Sequence, residues 1–325
     1  MKIGIVTTGE DAPGGNPTVR SLVRYALKHD IELVGIRKGF LGFLNDDIIV
    51  LTSRSVSGIL PAGGTILGSS SFDPTENPED IAIIKDEMER YNIDYLVVVG
   101  DRPSLIASYK LYQEGIKIIG IPQTIDNDIV GTDTTIGFDT AVTTVAEALD
   151  RLHTTAESHH RVMVVEVMGG DVGWLALVGG ITGGADYIVI PEIPFELEKL
   201  VAHIMDRKKR GKDFSIIVVA EGADIPGKEE NGVGSALRKL ISNQGNFEAR
   251  TTVLGHQLRG GSPTTTDRLL ATRMGIKAID AILDGENGAF VAIEGNRLTT
   301  KPLEIVLEKP KYADIELYRE AEIFF

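Results

Sequence analysis

The sequence predicts an α/β fold built on mostly parallel sheets. Three observations carry the expectation. Short apolar runs recur along the chain, among them Ile3 to Thr8, Tyr95 to Val99, Val162 to Val167 and Phe214 to Ala220. Between them lie longer stretches with apolar residues at helical spacing. Several runs end in turns rich in Gly, Asp or Pro. Strands that alternate with helices pack as parallel sheets covered on both faces.

The elements follow in order. Ile3 to Thr8 ends in the turn Gly9-Glu-Asp-Ala-Pro-Gly-Gly-Asn16, and a helix follows with Val19, Leu22, Val23 and Ala26 on one face. Ile31 to Ile36 reads as the second strand and Asp80 to Tyr91 as a helix. Tyr95 to Val99 is a strand ending in Gly100-Asp-Arg-Pro-Ser104. Ile116 to Ile121 is a buried strand that feeds Pro122-Gln-Thr-Ile-Asp-Asn-Asp-Ile-Val-Gly-Thr-Asp-Thr-Thr-Ile-Gly-Phe138. A helix from Asp139 then carries Val142, Val145, Ala146, Leu149 and Leu152 on one face. Val162 to Val167 ends in Met168-Gly-Gly-Asp-Val-Gly173. Tyr187 to Pro191 and Phe214 to Ala220 are further strands, with a helix from Glu196 to Lys209 between them. Gly222 to Val233 reads as a polar loop, Thr264 to Leu283 as a helix, and Phe290 to Phe325 as strand and short helix.

The chain of 325 residues is long enough for two domains or one large one. A formal net charge of -14 argues against nucleic acid and anionic membranes as partners. With no Cys there is no disulfide or thiol chemistry. No apolar run approaches the ~20 residues of a membrane span. Met1 leads straight into a strand, so no leader is expected and the expected compartment is the cytoplasm.

Asp126 and Asp128 sit just past the carboxyl end of a strand, the edge where open α/β sheets bind ligands. A carboxylate there can take a proton from a substrate hydroxyl; the same residues also suit an ordinary Asp-rich turn. The Gly9–Asn16 turn can hold phosphate on backbone N–H groups at a helix start, although no Gly-Lys-Ser/Thr string follows it. Arg20 and Arg24 share a helix face, which fits a solvated basic face or an anion site. His159 and His160 are adjacent and point apart, so a metal site there is disfavoured. Trp174 reads as core. Arg250, His256 and Arg259 offer two cations and a switchable donor, a set suited to a sugar phosphate.

The string from Pro122 to Phe138 resembles the signature of the 6-phosphofructokinases, and the resemblance spans nearly the whole chain. Arg250-Thr-Thr-Val-Leu-Gly-His-Gln-Leu-Arg-Gly-Gly-Ser-Pro263 is a second match, with Gln257 and Leu258 swapped in order. The resemblance implies two Rossmann-like three-layer domains. A donor-side domain would comprise 1–137 with about 257–308, and a sugar-phosphate domain 138–256 with about 309–325. It implies Asp126 as the base that activates the 1-hydroxyl of fructose 6-phosphate, with Thr124 and Asp128 beside it. Arg161, Met168, Gly169, Glu221, Arg250, His256 and Arg259 would bind the sugar phosphate. Arg20, Arg24, Asp186, Arg210 and Lys212 would bind a phosphorylated effector, with Ser53 and His153 where the family has Arg. The cofactors implied are Mg²⁺ and ATP if the chain is active, and neither if it is not. The assembly implied is a homotetramer, or a hetero-oligomer with a catalytic paralogue.

The donor half departs from the family pattern. Glu10 replaces a Gly that lets phosphates approach, and Ser71 and Gly170 replace phosphate-facing Arg residues. In Gly100-Asp-Arg-Pro-Ser104, Arg102 falls on the metal-binding Asp and Pro103 on the donor-selecting position. A divalent cation about 4 Å from that guanidinium is repelled by roughly 8 kcal/mol at an effective dielectric near 20. A one-residue slip would give the metal role to Asp101. Glu10 and Arg102 are a candidate pair filling the donor pocket. The expectation is therefore a fructose 6-phosphate-binding family member with weak or absent catalysis, a regulatory subunit or sugar-phosphate sensor. The alternative is an active kinase with a remodelled donor site.

Overall fold

The structure, a computed structural model, describes every residue except Asn246, and for Asn231 the backbone only. The first elements are β1 (Lys2–Thr8), α1 (Gly15–Ala26), β2 (Glu32–Ile36), α2 (Leu41–Leu44), β3 (Ile48–Leu51), α3 (Pro78–Tyr91), β4 (Tyr95–Gly100), α4 (Arg102–Gln113), β5 (Ile118–Thr124) and β6 (Ile136–Gly137). There follow α5 (Phe138–His159), β7 (Val162–Val167), α6 (Trp174–Thr182), β8 (Tyr187–Val189), α7 (Leu197–Lys209), β9 (Ser215–Ala220), α8 (Lys228–Asn231), α9 (Val233–Gly245) and β10 (Ala249–Val253). The last are α10 (Thr265–Leu283), β11 (Ala289–Glu294), β12 (Arg297–Pro302) and α11 (Ile315–Ala321). The α/β class expected from the sequence is the one observed.

The chain divides into two units. The first holds Met1–Ile125, Ile129–Thr140 and Arg259–Lys309; the second holds Asp126–Asp128, Ala141–Leu258 and Pro310–Phe325. Asp126–Asp128 thus group with the second unit, where the sequence reading had placed them in the first. The sheet of the first unit runs β12-β11-β5-β4-β1-β2-β3, with β6 beside β5. Only β3 against β2 and β12 against β11 are antiparallel. The second unit has the fully parallel order β10-β7-β9-β8.

Both faces of the first sheet are covered, which is why its strands are continuous apolar runs. Ile3 and Ile5 of β1, with Val97 and Val99 of β4, pack on one side against Val19, Leu22 and Val23 of α1 and Met274 and Ala278 of α10. Val6, Leu96 and Val98 turn to the other side, with Ile84 and Met88 of α3 and Leu105 and Leu111 of α4. The two-residue period of a strand produces this split. α1 and α10 approach closely because Gly275 has no side chain; a Cβ there would collide with Ser21 Oγ. In the second unit, Val164, Ile217 and Val219 meet Leu200, Ile204, Leu237 and Ile241 of α7 and α9. Gly179 of α6 and Gly183, the residue that follows its last turn, let Val145 and Leu149 of α5 close in.

The sequence reading passed over several elements, among them the helices α4, α6 and α9. β3 is a four-residue edge strand, and β10 lies inside the stretch read for its charged residues. The loop expected from Gly222 to Val233 contains the single-turn helix α8.

Asp267 is fully buried in the first unit and fixes the start of α5. It accepts from Gly137 N at 2.9 Å, Thr140 N at 2.8 Å and Thr140 Oγ1 at 2.5 Å. Burial raises its pKa above the usual carboxylate range, and these hydrogen bonds oppose the shift. The folded state therefore takes up this proton before the unfolded state does. Stability from this group is largest at low pH and is lost as pH rises through the folded pKa. Asp267→Ala should cost about 1–3 kcal/mol near neutrality, from stranded backbone donors. The cost should be larger at pH 4 than at pH 7, and urea unfolding at both values checks the sign.

Candidate functional site

In the first unit, β4 and β2 flank β1 on opposite sides, so the strand order reverses between β1 and β4. Ligands bind at such a switch point, beyond the carboxyl ends of the strands. Thr8 pairs with Gly100, so the two strands end level and their turns emerge side by side. The Asp101 carboxylate ties the turns together. Its Oδ1 accepts from Ser104 N at 3.0 Å and Ser104 Oγ at 2.5 Å, capping α4. Its Oδ2 accepts from Glu10 N at 2.9 Å. Gly9 is required beside it: φ is +82°, and a Cβ would run into the carboxylate. Gly9 N donates to Ser70 O at 2.9 Å, which brings the loop carrying the exposed Ser71 alongside.

Two expectations change here. Asp101 is not poised as a metal ligand, because its oxygens serve the α4 cap and the Glu10 amide. Among the described residues, no group of three or more His, Asp or Glu could hold a metal ion. Nor do Glu10 and Arg102 pair. Glu10 Oε2 meets Arg259 Nη2, and Arg102 Nη2 donates instead to Glu308 O at 2.5 Å. Arg102 begins α4, so its side chain follows the helix start and not the β1 turn. Pro103 suits the first turn of α4, where its missing N–H leaves no intrahelical bond unmade. Thr124 closes β5, and its carbonyl accepts from Thr135 Oγ1 at 2.7 Å. Gln123 Nε2 donates to Ala12 O at 3.0 Å.

In the second unit, Asp126–Asp128 follow β5 as a tight turn, with Asn127 at φ +55°. Lys311 braces it: its N donates to Asp128 O at 2.8 Å and its Nζ to Asn127 Oδ1 at 2.9 Å. The Lys311 ammonium also lies 5.3 Å from the centre of the Trp174 ring, while Trp174 Nε1 donates to Lys311 O at 2.8 Å. Trp174 is therefore part of this brace as well as half-buried. Glu192 Oε1 accepts from Gly173 N and Ala313 N, both at 2.8 Å, and fastens the same two segments. After β7, the N–H groups of Gly169 and Gly170 both point at Glu221 Oε1, at 3.1 and 2.8 Å. A Cβ on Gly170, at φ +55°, would lie 3.7 Å from Asp126 Oδ2, so this glycine turn borders the acidic one. Met168 is half-buried at its start.

Glu248 bridges two expected phosphate ligands. Its Oε1 lies 2.8 Å from Arg161 Nη2 and 2.8 Å from Arg250 Nη2. His256 is exposed on the turn Gly255–Arg259, and the Gln257–Leu258 order leaves Leu258 fully buried and Gln257 in solvent.

The expected effector residues are split between the units: Arg20 and Arg24 lie on α1, and Asp186, Arg210 and Lys212 in the second unit. Asp186 is engaged by Arg207 at 2.7 Å and by Ile216 N at 2.8 Å, and burial raises its pKa. Arg210 pairs with Asp206 at 3.0 Å, and His153 contacts Gly183 O at 3.1 Å. Sequence reasoning missed Lys311, Glu192 and Glu248. Lys311 and Glu192 lie outside any motif, and only the position of Glu248 two residues before Arg250 hinted at its role.

Strand-end turns of this kind, on parallel sheets, define a class of α/β protein that handles small ligands at sheet edges. Comparison with known proteins supplies the rest. The phosphofructokinase family model matches residues 2–282. The pyrophosphate–fructose 6-phosphate 1-phosphotransferase of Dictyoglomus thermophilum is 40% identical over 341 residues, covering 100% of this chain and 99% of that protein. The ATP-dependent 6-phosphofructokinase of Thermotoga petrophila is 41% identical over 321 residues, covering 98% of each. The structure of phosphofructokinase from Saccharomyces cerevisiae superposes with a TM-score of 0.85 at 32% identity; the match covers 94% of this chain and 45% of that one. The chain belongs to the phosphofructokinase family and has its fold. No helix among the described residues is long and apolar enough to cross a membrane.

Glu221→Ala would strand the buried Gly169 amide, at a cost of about 1–3 kcal/mol, while solvent takes over the exposed Gly170 amide. The emission of Trp174, the only Trp, follows urea unfolding of the variant. A loss below about 0.5 kcal/mol, the scale of an unimportant surface change, would refute the brace.

Proposed function

We propose that this chain is a 6-phosphofructokinase that transfers a phosphoryl group to the 1-hydroxyl of fructose 6-phosphate. The observation that carries the reading is similarity along essentially the full chain, at 40% and 41% identity, to proteins named for that reaction. One is named for pyrophosphate and the other for ATP, so the acceptor is common to both while the donor varies. Asp126 is the base: the hydroxyl oxygen attacks phosphorus, its proton passes to Asp126, and the rest of the donor leaves. Thr124 and Asp128 flank it. Glu221, Met168 and Gly169 meet the sugar, and Arg161, Arg250, His256 and Arg259 its phosphate. The step belongs to glycolysis in the cytoplasm. A homotetramer, or pairing with a catalytic paralogue, and an effector contacting Arg20, Arg24, Arg210 and Lys212 are part of the same proposal.

ATP or pyrophosphate would bring Mg²⁺, and the donor-side residues do not fit it as protein ligands. Asp101 is spent on backbone amides and its neighbour is the permanent cation Arg102. No step is therefore assigned to a protein-held metal. The same observation, with Glu10 closed on Arg259, favours a second reading, in which the chain binds the sugar phosphate and turns over weakly or not at all.

Asp126→Asn should lower kcat about 10²- to 10⁴-fold, with KM for fructose 6-phosphate within about threefold. Coupled assays with ATP and with pyrophosphate check it, and undiminished turnover would remove Asp126 from the role. Calorimetric binding of fructose 6-phosphate by a wild type inactive with both donors would select the second reading.

A further inference from the structure

The Glu10–Arg259 ion pair lies wholly within the first unit. The Arg259 side chain is 17% exposed and that of Glu10 is 49% exposed, so the acid stands on the solvent side of the guanidinium. Arg259 Nε is buried and has no hydrogen-bond partner among the described residues. Asp11 Oδ1 is likewise buried without a partner. Burial raises the Asp11 pKa, while the Ala12 amide and the charge of Arg259 lower it. Arg259 thus faces two acids and is closed off by one. The Glu10 backbone is fixed by Asp101 and by the neighbouring Gly9–Ser70 bond, so only side-chain rotation can open the pair.

We propose that Glu10 is an internal competitor for Arg259, a carboxylate that an arriving phosphate must displace, and so a determinant of which ligands the site accepts. The inference rests on the reading of Arg259 as a sugar-phosphate ligand and adds what controls access to it. A phosphate monoester carries about -1.5 to -2 charge near pH 7 and three acceptor oxygens, against one charge on the carboxylate. It therefore wins the exchange, and a neutral sugar does not. Affinity falls by the fraction of molecules in which the pair is open. For a half-exposed pair the penalty corresponds to about 1.5- to fivefold. Glu10 also places a negative charge beside the turn at the start of α1, against any polyphosphate that approaches it.

Titration calorimetry on the full chain tests this, with fructose 6-phosphate and, separately, inorganic phosphate as probes. Glu10→Gln and Glu10→Gly should each tighten both probes about 1.5- to fivefold, and the gain should vanish when Arg259→Gln is added. Thermal unfolding confirms that each variant is folded. Wild-type affinity in Glu10→Gln and Glu10→Gly, or a gain that survives Arg259→Gln, overturns the inference while leaving fructose 6-phosphate binding intact. If no variant binds fructose 6-phosphate, the functional reading fails; an Arg259-dependent gain for inorganic phosphate would then still uphold the competitor role, and its absence would overturn it.

Discussion

The strand-end turns of the first unit depend on one buried carboxylate. Asp101 caps α4 through Oδ1 and holds the Glu10 amide through Oδ2. It can do both because Thr8 and Gly100 are in register and release their turns at the same level. Gly9 has to be glycine because the carboxylate occupies the space of a Cβ. With the β1 turn fixed, Glu10 projects far enough to close on Arg259. With α4 fixed, Arg102 leaves from its first turn and reaches Glu308 O. A charged group that looks available in the sequence is in this way committed to backbone geometry. An unmade bond to a buried carboxylate would cost more than a typical surface ion pair returns.

The second unit uses the same device three times. Glu221 gathers the amides of Gly169 and Gly170, Glu192 those of Gly173 and Ala313, and Glu248 the guanidinium groups of Arg161 and Arg250. Carboxylates accept several N–H groups at once, so an acidic chain can shape irregular loops without long side-chain networks. Lys311 is the cationic counterpart, bracing the Asp126–Asp128 turn through Asn127 and the Asp128 carbonyl.

The strands and long helices were legible because burial on both faces leaves unbroken apolar runs, and helix faces repeat at helical spacing. β3 escaped notice because it is a short edge strand with Val50 in solvent, so its pattern is weak. β10 was masked by its charged and polar residues: Arg250 is exposed, and Thr251 and Thr252 are only half-buried. The position of Asp126 past β5 could be read from strand and turn alone. What Asp101, Glu10 and Arg102 touch could not, since it depends on the level at which two strands end and on which side chain a helix start throws outward. Motif spacing records which residues are near a turn, and it does not record hydrogen-bond partners. For that reason the expected Glu10–Arg102 pair gave way to Glu10–Arg259.

Residues 10, 102 and 170, which the sequence reading set against the family pattern, are each held by neighbours within their own unit. Glu10 is neutralised by Arg259 and is not left facing solvent alone. Arg102 opens the helix that Asp101 caps, and Pro103 follows it in the first turn. Gly170 sits at φ +55°, a conformation a bulky side chain adopts only with strain, in the loop that Glu221 holds. Glycine at residue 10 would release Arg259, whereas an Arg at residue 170 would meet a backbone that disfavours it. The two positions would respond differently because residue 10 holds its charge on a rotatable side chain, whereas residue 170 is constrained by the backbone itself.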